Sequence, residues 1–367
     1  MDGQGFALPP FMIKKNKIAL LLFLFSCSSQ ANISLDLILK PLLSNHKTKN
    51  EITIQAHQNC KRKVLVAVID TGIDIHHPDL KSSIWMNDGE SGMDSQGRDK
   101  ATNGVDDDGN GYIDDVHGWN FAGQIADVSD SHGHGTHIAG IIAGLSQSSD
   151  KSIPNCAVIM PIKYIDPDTT TKNSILNTSL SILYAIKMGA EIINYSGGGL
   201  SSNEFEKRSV QLSNYNQILF IAASGNEANN ADEKPFFPAS YQTPNMISVG
   251  AVDRRGNILE NSNFGERSVD VAAPGLFIFS TLPKGKYGLM SGTSQATAFV
   301  TRAAVSVLNA QKIHSMKSWQ LKQTVLSNVI VNPSLKGKIR SAGIISTDLT
   351  QFEPQIRRLG QSSFSRN

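Results

Sequence analysis

Val68-Ile69-Asp70-Thr71-Gly72-Ile73-Asp74 contains the end of the first long apolar run of a 367-residue chain, and the way that run ends decides the fold. From Val64 to Ile69 it holds only Val, Leu, Ala and Ile. A half-exposed strand alternates apolar and polar residues, whereas a strand buried on both faces of a parallel sheet stays apolar throughout. An Asp at the end of such a run stands where α/β sheets present polar groups, in the crevice outside the carboxyl ends of their strands.

Working outward, short runs rich in Val, Ile or Ala recur at 157–165, 190–195, 218–223, 246–252 and 269–272. Between them, 173–188 places Ile175, Leu176, Leu180, Leu183 and Ile186 at helical spacing and is followed by Gly189, a helix stop. Residues 204–214 and 296–310 read as further helices. Strand and helix alternation predicts a doubly wound α/β fold. The apolar fraction of 40% and charged fraction of 18% are those of a globular protein, and a net charge of +2 gives no electrostatic case for nucleic acid.

The N-terminus reads differently. Lys14, Lys15 and Lys17 precede an apolar run at 18–25 that is too short to span a bilayer, and small polar residues follow. Residues 1–31 are therefore expected to be an export signal, 32–60 a short leader or linker, 61–352 the folded domain and 353–367 a polar tail. Leu24-Phe25-Ser26-Cys27 is read as a lipobox that leaves Cys27 lipidated, with Phe25 bulky for its place. Cleavage after Ser29-Gln30-Ala31 is the ordinary alternative. Either route takes the protein out of the cytoplasm, lipid-anchored in a bacterial periplasm or envelope, or secreted. Apart from Cys27 only Cys60 and Cys156 remain, an even count suited to one disulfide in an oxidising compartment.

Three segments carry the chemistry: the Asp70 segment, then His134-Gly135-Thr136-His137-Ile138-Ala139-Gly140, then Ser291-Gly292-Thr293-Ser294-Gln295-Ala296-Thr297. A serine hydroxyl is a weak nucleophile that needs a base within hydrogen-bond reach. The base in turn needs a third group to fix its tautomer and stabilise its charged form. In this order, and with Ala222-Ala223-Ser224-Gly225-Asn226 between the second and third, the segments resemble the Asp, His and Ser boxes of the subtilases. The resemblance implies a mostly parallel seven-stranded sheet flanked by helices and a serine endopeptidase acting through an acyl-enzyme. Asp70 would orient the base, His134 would be the base, Ser294 the nucleophile and Asn226 the oxyanion donor. It also implies a substrate-binding rail at Asn194-Tyr195-Ser196-Gly197-Gly198-Gly199, with Ser196, Gly197, Gly198, Ala223 and Gly225 as binding residues and an open wall at Gly197. Phe237-Pro238-Ala239 resembles the family's proline turn. The family's sheet order puts the strands after Cys60 and Cys156 side by side, so those two cysteines are expected to pair. Polypeptides are the expected partners, with membrane contact only through the lipid anchor, and the protein is expected to be monomeric.

Some residues depart from the family. Gln295 stands where Met is usual, and Thr297-Ala298-Phe299 lacks the usual Pro and His. These changes alter packing beside the nucleophile without removing a catalytic group. His132, His134 and His137 have no Glu or Cys partner nearby, so no catalytic metal is expected and His137 reads as a packed residue.

Seven aspartates lie between Asp94 and Asp115. Among them Asp106-Asp107-Asp108-Gly109-Asn110-Gly111-Tyr112-Ile113-Asp114 follows the opening of a calcium loop, in which oxygens at alternate positions converge on one ion. An EF-hand would close on an acid at position twelve, which here is His117. The expected ligands of one structural Ca²⁺ are Asp106, Asp108, Asn110, Asp114 and the Tyr112 carbonyl. The competing reading is a solvated acidic loop.

Overall fold

The computed structural model describes residues 60–145, 155–167, 174–310 and 316–346. The signal segment, Cys27, nearly all of the leader and the 353–367 tail lie outside the described residues. The sheet has the strands β1 Val64–Asp70, β2 Trp119–Asn120, β3 Ala157–Lys163, β4 Ile192–Tyr195, β5 Leu219–Ala223, β6 Met246–Val252, β7 Val271–Pro274, β10 Val329–Val331 and β11 Gly343–Ile345. Their spatial order is β10-β11-β7-β6-β5-β4-β1-β3-β2, and every pairing is parallel except β10 with β11. A separate antiparallel hairpin joins β8 Ile278–Leu282 to β9 Lys286–Met290. Among the described residues the sheet has nine strands where the resemblance implied seven. The six apolar runs of the sequence are β1, β3, β4, β5, β6 and β7, while β2, β10 and β11, two or three residues long, are too short to leave one.

Alternation along β1 explains the two layers. Val64, Val66 and Val68 point into one core, and Leu65, Ala67 and Ile69 into the other. The first core is closed by α1 His134–Ala143 and α4 Thr293–Ala310, through Ile138, Ile141, Ile142, Val300 and Val307. The second is closed by α2 Ser174–Lys187 and α3 Glu204–Tyr215, through Ile182, Leu183, Tyr184 and Val210. A strand with helices on both faces has no polar side to spare, so all seven residues of β1 are buried. Each large aliphatic side chain so buried stabilises the fold by roughly 1.5–3 kcal/mol. Among the described residues no helix is long and apolar enough to cross a membrane.

Cys60 and Cys156 form a disulfide with a Cα–Cα separation of 5.7 Å. It sits where expected, since Val64 pairs with Ala157 and both cysteines lie just before their strands. Closing a 96-residue separation removes unfolded-chain entropy worth on the order of 4–5 kcal/mol. The α4 helix begins at Thr293, three residues before the apolar period starts, which places Ser294 in its first turn.

Candidate active site

Two glycines bring the first two boxes together. The φ of +104° at Gly72 turns the chain under Val128, whose carbonyl oxygen would lie 2.6 Å from any Cβ there. A Cβ on Gly135 would meet the Gly72 carbonyl oxygen at 2.0 Å, so the first turn of α1 rests directly on the Asp70–Gly72 turn. That approach sets His134 Nδ1 2.7 Å from Asp70 Oδ1, which also accepts the Thr71 N–H at 2.8 Å. Asp70 Oδ2 is buried with no partner among the described residues. Burial disfavours protonation of His134, but the Asp70 charge and hydrogen bond, with the charge of Asp130, outweigh it and raise its pKa.

Asp130 is a residue the motif reading missed. Its Oδ1 accepts from Thr71 Oγ1 and from the N–H groups of His132 and Gly133, and its Oδ2 accepts from the Thr136 N–H and Oγ1. A carboxylate at the N-terminus of α1 satisfies donors the helix leaves open and ties the His134 turn to the Asp70 turn. The only sequence signal is an acid four residues before His134.

Ser294 is 7% exposed, in the first turn of α4 behind Gly292, which has a φ of +150°. Its Oγ donates to the Ser196 carbonyl at 3.1 Å, and no hydrogen bond joins it to His134. Such bonds often form only when substrate binds. Asn226 Oδ1 accepts the Thr293 N–H at 2.9 Å and the Thr293 hydroxyl at 3.2 Å. The amide is thereby held with its Oδ1 on Thr293 and its Nδ2 on the other side. Asn263, also unforeseen, holds the loop that carries Asn226. It donates to Ser224 O and Glu227 Oε2 and accepts from the N–H groups of Glu227 and Asn229.

The expected binding residues flank this group. Ser196 to Gly198 leave the sheet from β4, and Ala223 to Gly225 leave it from the neighbouring β5. The wall at Gly197 is not open, however. A Cβ there would lie 2.3 Å from the Tyr164 hydroxyl and 3.1 Å from the Tyr195 ring, so two tyrosines fill the space that the glycine leaves. In the proline turn, Phe237-Pro238 is a cis peptide. His137 is fully buried, with Nε2 between the carbonyls of Ile278 and Gly288, and burial lowers its pKa to about 4. It is a packed residue.

In the aspartate-rich segment, carboxylate oxygens of Asp106 and Asp108 converge with one of Glu90, all within 4.8 Å of one another. Glu90 lies outside the motif and was not foreseen. It has no exposed surface, its Oε1 accepts from the N–H groups of Asp107 and Asp108, and its Oε2 has no partner among the described residues. Burial raises its pKa, and the charges of Asp108 and Asp106 add to that. Asp114 does not join this group; its Oδ1 accepts the Gly104 N–H. Asn110 turns its Oδ1 to the Tyr112 N–H and its Nδ2 to Asp108 and Asp115.

Residues 61–356 match the subtilase family. Thermitase of Thermoactinomyces vulgaris is 31% identical over 242 residues, which cover 65% of this chain and 72% of that protein. The major intracellular serine protease of Bacillus subtilis (strain 168) is 32% identical over 266 residues, 71% of this chain and 72% of the relative. Subtilisin-like protease 1 of Plasmodium berghei (strain Anka) is 30% identical over 303 residues; they cover 76% of this chain but only 48% of that protein. In fold, a crystal structure of a cold adapted subtilisin-like serine proteinase matches 79% of this chain and 90% of its own, with a TM-score of 0.60 at 23% identity. Kinship in sequence and likeness of the sheet agree: the chain belongs to the subtilase family, whose members are subtilisin-like serine endopeptidases.

Proposed function

We propose that the chain hydrolyses peptide bonds through an acyl-enzyme, with Ser294 as nucleophile, His134 as general base, Asp70 as the group that orients it, and Asn226 as oxyanion donor. The observation that carries this reading is the 2.7 Å His134–Asp70 contact at the end of β1, beside the end of the neighbouring β4, where the Ser196 carbonyl takes the Ser294 hydroxyl. Substrate backbone lies along Ser196 to Gly198, and its N–H takes the Ser196 carbonyl that the Ser294 hydroxyl occupies at rest. The freed hydroxyl then turns to His134 Nε2. Ser294 Oγ bonds to the carbonyl carbon as its proton passes to His134, and the oxyanion forms at Asn226 Nδ2. The imidazolium returns that proton to the leaving amine, and a water molecule repeats the sequence to release the acid. A fluorophosphonate probe should label the wild type and not Ser294→Ala. Equal labelling of both would place the nucleophile elsewhere.

The same reading extends to a structural calcium ion. Glu90, Asp106 and Asp108 are hard oxygen donors, and the buried Glu90 Oε2, which has no partner among the described residues, suits a cation ligand. The Asn110 side chain and the Tyr112 carbonyl remain candidates from the loop pattern, and Glu90 takes the place expected of Asp114. An ion that binds only the folded state stabilises by mass action, about 2.7 kcal/mol at a hundredfold excess over Kd. Chelation by EDTA should therefore lower Tm by roughly 5 °C. In Glu90→Gln or Asp108→Ala the response should shrink or vanish. A wild-type Tm indifferent to EDTA, with no calcium uptake by calorimetry, leaves only an acidic loop.

Export with a lipid anchor at Cys27 completes the proposal. It rests on the basic and apolar segment before Cys27, and the Cys60–Cys156 disulfide suits the oxidising compartment that export implies. Cys27→Ser should move the protein from the membrane to the soluble fraction. An unmodified mature N-terminus at Asn32 would decide for ordinary cleavage.

A further inference from the structure

In an acyl-transfer site the side chain next to the attacked carbonyl branches from the carbon bonded to that carbonyl. With the oxygen at Asn226 and the substrate backbone along Ser196 to Gly198, this side chain enters between the two segments that leave β4 and β5. They run side by side because Tyr195 pairs with Ala222. Both walls are glycine at this point, Gly198 with a φ of +151° and Gly225 with a φ of +103°. Two bare walls would ordinarily leave a deep slot.

The slot is filled by the chain itself. A Cβ on Gly198 would lie 2.4 Å from Phe236 Cε1 and from the Phe237 carbonyl oxygen and 2.9 Å from Phe236 Cζ. A Cβ on Gly225 would lie 2.9 Å from Phe236 Cδ2, with Asn263 Nδ2 and Glu227 Oε2 nearer still at 2.3 and 2.4 Å. Cε1 and Cδ2 are on opposite sides of the ring, so one phenyl group reaches from wall to wall. It is 6% exposed. It is also held from both sides in the chain. The Phe236 N–H donates to Ser240 Oγ at 3.0 Å, and Phe237 exchanges backbone hydrogen bonds with Gly199 at 2.7 and 2.9 Å. The ring cannot withdraw without unclipping the rail.

We propose that Phe236 is a specificity-determining residue that makes this subsite shallow and confines fast cleavage to bonds after small residues: glycine, alanine and serine. The proposal rests on the acyl-enzyme reading above. A bulky side chain there needs the volume the ring occupies, whereas a methyl group fits above its edge, and excluding a few carbon atoms is enough for large discrimination.

The test compares peptide p-nitroanilides that differ only in the last residue, with fluorophosphonate labelling run in parallel. For the wild type, kcat/KM should favour alanine over phenylalanine or leucine by on the order of 10². Phe236→Ala should lower that ratio to one or below, and Phe236→Leu, which removes less of the packing, should lower it part of the way. The wild-type profile decides even where a variant fails to fold. A labelled enzyme that cleaves after phenylalanine as fast as after alanine, or whose ratio both variants leave in place, overturns the role of Phe236 alone. A protein that no fluorophosphonate labels overturns the nucleophile, and this inference with it.

Discussion

Ser294→Ala is expected to lower kcat by about 10⁶, and His134→Ala by a similar factor, while the double variant should be hardly worse than either. The reason is that the two groups act on one proton. Without the hydroxyl there is nothing for His134 to activate, and without His134 the hydroxyl attacks with its proton still attached. KM should change little, because the rail and the side-chain subsite are untouched. Some turnover above the uncatalysed rate should survive through Asn226 and substrate positioning, which remain in place. By contrast, Asn226→Ala alone should cost about 10²–10³, mostly in kcat, since its Nδ2 serves a charge that exists only during reaction. Steady-state kinetics on one peptide amide, with refolded protein checked by circular dichroism, gives all four values. Additive losses in the double variant, or Ser294→Ala within a hundredfold of wild type in a protease-free preparation, would show that Ser294 and His134 do not form one unit.

Much of this machinery is legible in the amino-acid sequence. The strands fully buried on both faces declare themselves as apolar runs, β1 and β3 with a polar residue only at the end (Asp70, Lys163) and β6 with only the buried Ser248 inside it, because a doubly covered sheet leaves little room for polar side chains. The catalytic-type residues lie in short glycine-bearing segments because close backbone approach requires them, as at Gly72 and Gly135. What stays hidden depends on contacts between residues far apart in the chain. Glu90 reaches Asp106 and Asp108 from a turn outside the aspartate motif, and no periodicity marks it. Asp130 and Asn263 work by collecting backbone N–H groups, a role that any acid or amide in a loop could have. The space beside Gly197 is misjudged because a glycine announces room, while the tyrosines that take it come from the end of β4 and from beyond the end of β3. Short edge strands and the β8–β9 hairpin also give no signal, since a strand of two or three residues or one with an exposed face has no long run to show.

Asp70→Asn is expected to lower kcat by about 10⁴ and to move the acidic limb of the activity profile to lower pH. The two effects have one cause. Asp70 Oδ1 accepts from His134 Nδ1, which places the imidazole proton on Nδ1 and leaves Nε2 as the acceptor that Ser294 needs. An amide in that place can turn its NH₂ towards Nδ1, which moves the ring proton to Nε2 and removes the base from the side where it is used. That deficit persists at every pH where His134 is neutral. The sign of the limb shift follows from the balance at His134. Burial pushes its pKa down, and the charge and hydrogen bond of Asp70, helped by Asp130, push it up and prevail. Removing the Asp70 charge leaves burial opposed only by Asp130, so the pKa falls. The base works only when neutral, so in the wild type activity is lost as pH drops through a pKa above the ordinary value of 6.5, and in the variant the loss comes at lower pH. Profiles of kcat/KM report the free enzyme and are the measurement to make. If the variant's limb stays in place or moves up, Asp70 does not control the charge of His134. If its plateau rate lies within tenfold of wild type, Asp70 does not control the tautomer either.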